Sequence, residues 1–180
     1  MQRFASASWP NALKVSSLLG SVILVGVGII AVKAIPYGTR NPFFQTFGPL
    51  VVFIPLAIAL FAILFIVSGY ELEPSRLRIR RLLWSTQIPL SGLHRIYANS
   101  IIMKHSIRVF GNGGFFSFTG LYQSRALGRY RAFVTDPKCS VALFLPTGVV
   151  VVSPADTELF VRSVRSQFPG IQVGPPIATS

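Results

Sequence analysis

Acidic side chains are scarce in this sequence: five Asp and Glu against 17 Lys and Arg in 180 residues, a net charge of +12. Charge of either sign is scarce too, at 12%, where soluble domains carry about a quarter, and hydrophobic residues make up 51%. That combination excludes an ordinary soluble enzyme with a large core and points to lipid contact. A single cysteine, Cys139, excludes an internal disulfide framework and any multi-cysteine metal site. Set in an apolar stretch, it reads as a buried structural thiol rather than a nucleophile. The histidines are His94 and His105, and no carboxylate lies between Glu73 and Asp136, so neither has an acidic or thiol partner. Catalysis is therefore not expected; a zinc site lacks ligands, and no cofactor is implied. The length accommodates one modest domain plus a membrane segment.

What is present in quantity is uncharged apolar chain. Val15 to Val32 gives 18 residues without charge between Lys14 and Lys33. As a helix they cover about 27 Å, close to the ~30 Å hydrocarbon thickness, and a snorkelling Lys33 extends the span to Ile35. A signal peptide is the rival reading, with Arg3 and Lys14 as its basic region. The run exceeds a usual apolar signal region, however, and Lys33-Ala34-Ile35-Pro36 makes a poor cleavage site. Asn41 to Tyr70 holds no charge at all, and its densest part, Phe47 to Val67, is 21 residues, about 31 Å as a helix. Pro49 sits in its first turn and Pro55 inside it, where a kink is expected and is tolerated in a membrane. Pro36, Gly38, Asn41 and Pro42 read as a turn. The expected organisation is a cytoplasmic segment over 1–14, spans over 15–35 and 47–69, and a connection over 36–46. Flanking positive charge orients the hairpin: Arg3 and Lys14 on one flank and Arg76 to Arg81 on the other outweigh Lys33 and Arg40, which places both termini in the cytoplasm.

Residues 70–168 change character, with short apolar runs separated by turn residues. Arg76-Leu77-Arg78-Ile79-Arg80 alternates, so Leu77 and Ile79 share one face of a strand and the arginines the other. Further strands are expected at Gln87–Leu90, Ser100–Lys104, Ser106–Phe110, Arg129–Thr135, Cys139–Leu145 and Val149–Ser153. The continuously apolar Val149–Val152 suits a strand buried on both faces. Asp136-Pro137-Lys138 and Pro146-Thr147-Gly148 have the length of hairpin turns. Ser153-Pro154-Ala155-Asp156 is expected to open a helix, with Ser153 as its cap and Phe160, Val161, Val164 and Phe168 on one face. Residues 169–180 lack periodicity and are expected to be disordered.

Two N-terminal spans, a mostly antiparallel β-domain and a closing helix resemble the bacterial pleckstrin-homology (PH)-like membrane proteins. The resemblance rests on Tyr70-Glu71-Leu72, on Ile88-Pro89-Leu90 leading to Leu93 and Ile96, and on Gly111-Asn112-Gly113-Gly114-Phe115 with Gly120. It continues in Gly128-Arg129-Tyr130 with Thr135, and in Ser153-Pro154. It implies an α+β membrane protein: a two-helix transmembrane hairpin, then a PH-like antiparallel β-barrel or sandwich capped by a C-terminal α-helix. A bacterial inner membrane location is implied, multi-pass. Eukaryotic members often bind phosphoinositides through a lysine-plus-arginine motif at the first strand pair. Here Arg76, Arg78 and Arg80 are basic but no lysine begins the motif, and the last helix lacks the usual tryptophan, so that specificity is not carried over.

The basic field is the strongest functional signal. Pro74 to Thr135 holds ten Lys or Arg and no acidic residue. Arg76 lies at most about 24 Å from Gly69 even in an extended chain, within reach of a negative leaflet surface. The expected lipid contacts are Arg76, Arg78, Arg80, Arg81, Arg125, Arg129 and Arg131. The first four also serve a topogenic reading, whereas the last three lie too far along the chain to set topology. Nucleic acid is not expected as a partner, because aromatic RNA-reading motifs are absent. The glycine-rich run from Phe110 to Gly120 lacks the ending of a phosphate-binding loop and reads as backbone freedom. Phe115, Phe116 and Phe118 after it either pack within the domain or form an aromatic loop at the bilayer interface or a partner's groove. A non-enzymatic module contacting anionic head groups and docking a partner protein is the expectation. The alternative is an assembly subunit acting through its hairpin, where Ser16 and Gly20 place small residues four apart.

Overall fold

The ends of both apolar helices are tied into the same sheet. The computed structural model describes residues 1–34 and 42–175. Strand β1 (Gln2–Ala5) precedes helix α1 (Asn11–Ala34); helix α2 (Pro42–Leu64) is followed by β2 (Val67–Leu72), β3 (Arg76–Arg81) and β4 (Ser85–Pro89). β1 pairs antiparallel with β2 from Gln2↔Leu72 to Ala5↔Gly69, and the sheet order is β1-β2-β3-β4. The N-terminal residues, expected as a plain cytoplasmic segment, therefore form an edge strand. α2 also stops five residues short of the expected 69. Hydropathy cannot separate the end of an apolar helix from the start of a buried strand, and Val67 (1% exposed) already belongs to the sheet. Of the expected connection over 36–46, residues 36–41 lie outside the described residues and the rest begin α2.

The second sheet has seven strands: β5 (Arg95–Ala98), β6 (Ile107–Gly113), β7 (Phe118–Ser124), β8 (Gly128–Val134), β9 (Val141–Leu145), β10 (Gly148–Val152) and β11 (Gln172–Val173). Its order is β11-β5-β9-β10-β8-β7-β6. Helix α3 (Thr157–Gln167) closes the domain. Two sheets are present and no closed barrel among the described residues, so the expected barrel-or-sandwich resolves to two layers.

One core lies between the sheets. Phe4, Tyr70, Leu72, Leu77 and Ile79 from the smaller sheet meet Ile96, Leu143, Val150 and Val152 from the larger, with Phe160 and Val164 of α3. Burying each such side chain stabilises the fold by about 1.5–3 kcal/mol. The β3 alternation drives this layer, since Leu77 and Ile79 are both fully buried. The far face of the seven-stranded sheet carries Tyr122, Tyr130, Ala132, Val134, Ala142 and Val151, with Ile102 packed against them. β10 is thus buried on both faces, as its apolar run requires.

Several sequence expectations need correction. Ser100–Lys104 is a series of turns, because Asn99 Oδ1 accepts the Ile101 amide at 3.0 Å and the next amides bond three residues back. Asp136–Lys138 is no hairpin: Asp136 caps a short 3-10 turn over Pro137–Cys139, and β10 lies between β8 and β9, parallel to β8. Cys139 sits in that turn rather than in a strand, its thiol held above the ordinary value by burial and by Asp136. The cap of α3 is Asp156, whose side chain accepts the Leu159 amide at 2.8 Å. Ser153 is instead buried in a cross-strand network. Within the tail expected to be disordered, β11 pairs with β5, and Arg95 donates to Gln172 Oε1 at 2.5 Å; residues 176–180 lie outside the described ones.

Candidate functional site

On β3 the strand period sorts the arginines. Arg76, Arg78 and Arg80 occupy the outer row, where the antiparallel register sets Glu71 of β2, and Glu73 of the turn after it, among them. Arg76 Nε lies 2.5 Å and Arg78 Nη2 3.2 Å from Glu73. Arg80 Nη1 lies 3.6 Å from Glu71, and Arg3 of β1 reaches the same carboxylate at 3.1 Å. Charge scanning from Pro74 onward missed this because the two glutamates sit just before that window. The hydrogen bond from Arg76, with the charges of Arg76 and Arg78, holds Glu73 below the usual carboxylate range.

Arg81 is in phase with Leu77 and Ile79 and belongs to the inner row, 9% exposed. Its guanidinium carbon lies 4.8 Å from the Phe65 ring centroid, 5.5 Å from Phe133 and 5.7 Å from Trp84. Among the described residues no carboxylate pairs with it and its Nε has no hydrogen-bond partner. Arg78 Nε is unpartnered as well, but that guanidinium reaches Glu73 through Nη2. Burial first, and then the charge of Arg131, pulls the Arg81 pKa below the ordinary guanidinium value. Cation–π contact supplies on the order of 2 kcal/mol when desolvated, against several kcal/mol for burying an ion. The site is short of a negative charge.

The remaining predicted residues separate. Arg131 stands on β8 with its guanidinium carbon 5.4 Å from the Phe133 ring, on the same side as Arg81. Arg129, two residues earlier, is exposed on β8, and Arg125 borders a different cavity, beside the Ile101–Ile107 segment. Phe118 packs on the far face of the large sheet. Phe115 and Phe116 dock on α1. Ser16 Oγ donates to the Gly114 carbonyl and the Phe116 amide to Ser17 Oγ, both at 2.8 Å, and the Phe115 ring fills the space a Cβ at Gly20 would need. Phe116 holds φ 64°, a left-handed conformation rare for an aromatic residue and fixed by these contacts. The hairpin behind it depends on Gly111 and Gly120, directly paired at positive φ, where a Cβ would come within 2.4 Å of a facing carbonyl.

Sequence reading missed Leu82, Leu83 and Trp84 at the β3–β4 turn, exposed by 62%, 73% and 39%. The Trp84 ring meets Phe65, just past the end of α2, edge-on at 5.0 Å. Three apolar residues at a hairpin turn were the available signal. Among the described residues no three His, Cys, Asp or Glu gather as a metal site needs.

Apart from β1 and β11, the two sheets and the closing helix come from one continuous stretch of sequence, and the family model described as bacterial PH domain matches residues 68–168. The chain belongs to the bacterial PH domain family. That match spans just over half of the 180 residues and begins one residue into β2, so the PH domain draws its edge strand β1 from outside the matched segment. No curated protein and no solved structure matches the chain. α1, and α2 from Phe47 onward, are long and apolar enough to cross a membrane, with mean hydropathies of 2.5 and 2.6.

Proposed function

We propose that the chain is a non-enzymatic, membrane-anchored PH module that contacts anionic lipid head groups at the cytoplasmic face of the bacterial inner membrane. A partner protein docking on the same domain is a secondary role. The observation that carries this reading is the β1–β2 pairing, which joins the residue run before α1 to the run after α2. Two helices flanked in this way enter and leave a bilayer on one side, and the domain stands at their foot. Only 11% of each apolar window is buried, whereas a core helix of a soluble protein is mostly covered. β1 also supports retention of α1 over a cleaved signal, since the Ala7 amide and carbonyl bond to Ser153 and Thr135 in the domain. Positive flanks at Arg3, Lys14 and Arg76 to Arg81 favour the cytoplasmic side. Leu82, Leu83 and Trp84 beside the end of α2 suit insertion at head-group depth.

The assembly-subunit reading has less support, because the small-residue pair at Ser16 and Gly20 receives the Phe115 loop of this same chain. The test is amide hydrogen exchange of the full chain in nanodiscs of phosphatidylglycerol or of phosphatidylcholine, at low and at moderate salt. Salt-sensitive protection of the β3–β4 turn and of β8 in the anionic discs alone is expected. Equal exchange in both lipids removes the head-group role and leaves protein docking.

A further inference from the structure

Between the last turns of α2 and the face of β6–β8 lies a cavity of about 780 Å³, within the range of small-molecule sites, roughly 300–1,000 Å³. Its chemistry is divided. Ile58, Phe61, Ala62 and Phe65 of the α2 end form one wall, and Phe110 and Leu121 belong to the facing strands. Arg81, Arg108 and Arg131 supply the charge, and none of the described residues lining the cavity is acidic. Strand register explains the grouping: Phe110 pairs with Leu121 and Leu121 with Arg131, so one cross-strand row places an arginine next to apolar side chains. Arg81 enters from β3 because it shares the inner phase of Leu77 and Ile79.

We propose that this cavity is a discrete site for one anionic phospholipid, its phosphate held by Arg81 and Arg131 and an acyl chain laid along Ile58, Phe61 and Phe65. The proposal rests on the reading that α2 spans a bilayer. The decisive feature is Arg81, 91% buried by its 9% exposure, with an unpartnered Nε and no ion pair to a carboxylate among the described residues. A guanidinium does not shed its proton in a protein, so this charge is answered by an anion or by nothing. Its planar fork matches a phosphate, and a second arginine on β8 supplies the other side. Burial and the nearness of Arg131 both depress the Arg81 pKa, the direction that an anion placed between them reverses. An acidic peptide would answer the charge but leave the apolar wall unmatched. Ile58 to Phe65 spans about 10 Å of helix, the depth over which a lipid passes from head group to acyl chain. This place differs from the first-strand-pair motif, whose arginines here are occupied by Glu71 and Glu73.

The test is native mass spectrometry of the full chain released from nanodiscs containing equal phosphatidylglycerol and phosphatidylcholine. One retained phosphatidylglycerol is expected, with occupancy reduced about tenfold in Arg81→Met, the scale of one lost charge-assisted contact. Arg131→Met, at an exposed position on the cavity wall, gives the same direction if Arg81→Met fails to fold. Arg165→Met on α3 removes an equal charge outside the cavity lining and leaves retention unchanged. A chain retaining no phospholipid, or equal amounts of both, overturns the site even where salt-sensitive hydrogen exchange persists, so the surface reading stands or falls separately. Displacement of the retained lipid by millimolar inorganic phosphate overturns the lipid part and leaves a plain anion site.

Discussion

Arg80 and Arg81 are neighbours on one strand, and they mark the difference between the two faces of the four-stranded sheet. On the outer face every arginine of the row from Arg76 to Arg80 meets a carboxylate within 3.6 Å. On the inner face the row Leu77, Ile79, Arg81 is buried, and its terminal charge meets three aromatic rings and no carboxylate among the described residues. Counting positive charge along the chain treats these residues as one cluster. Strand phase divides them into a row in which each arginine has a carboxylate partner and a single buried residue that has none among the described residues. What matters for a basic PH surface is therefore which arginines lack an internal partner.

The largest expected effect comes from breaking the inner face at Tyr70, which is fully buried and paired with Ile79 across β2–β3. Its hydroxyl donates to the Phe133 carbonyl at 2.6 Å and accepts the Ser153 amide at 3.0 Å. Ser153 Oγ in turn accepts the Thr135 amide at 2.8 Å. Tyr70→Phe strips the Ser153 amide of its acceptor and is expected to cost about 2 kcal/mol, a drop of roughly 4–8 °C in Tm by thermal melt of the full chain in detergent. Alkaline pH probes the burial of the same hydroxyl. Burial pushes the Tyr70 pKa from 10 up to about 12. The folded chain then holds the phenol proton after the unfolded chain has lost it, so the contribution is intact below pH 10 and is lost as pH rises toward 12. Tyr122 and Tyr130 are raised by burial too, so Tyr70→Phe makes the alkaline fall shallower without abolishing it. An unchanged alkaline limb would show that burial of the Tyr70 phenol does not set the alkaline limit of stability.

The same two faces show what the sequence made legible. The β3 alternation was visible because its period of two is local, and so were the two long apolar runs and the helix face of Phe160 and Val164. β1 was not visible: Gln2–Ala5 is a strand only because β2 lies beside it, its partners running from Gly69 to Leu72 beyond both apolar helices. β7 was hidden for the opposite reason, since the glycines of its hairpin read as loop while Gly120 serves a close backbone crossing. Arg81 was counted with its neighbours because Arg80-Arg81 breaks the alternation by residue type, although the phase continues. Seeing it as an inner residue requires knowing that β3 runs on to position 81.

A smaller effect is expected on the outer face. Arg3→Met with Arg80→Met leaves the Glu71 carboxylate, 4% exposed, without either cation. Both arginine side chains are mostly in water, at 71% and 53% exposure. The expected loss is therefore about 1 kcal/mol rather than the 3–5 kcal/mol of a fully buried pair. A loss as large as that of Tyr70→Phe would erase the distinction between the faces, by making the outer row as much a part of the core as the inner one.

The smallest effect belongs to Glu73, a half-buried carboxylate on the same outer face that is held by arginines reaching into water. Its pKa is lowered from 4.5 chiefly by the Arg76 hydrogen bond. A depressed carboxylate contributes above its unfolded value and loses that contribution as pH falls through the folded one. Glu73→Gln is therefore expected to lower Tm slightly at pH 7 and to make the acid-side decline shallower below about pH 4.5, so that the two proteins converge toward pH 3, read by thermal melts from pH 7 to pH 3. Arg76 has a second acceptor in Gln87 Oε1 at 2.8 Å, so releasing Glu73 does not free its guanidinium. If Glu73→Gln instead raised phosphatidylglycerol retention, Arg76 or Arg78 would be competing for the lipid, and the outer row would have to be counted among the lipid-binding residues after all.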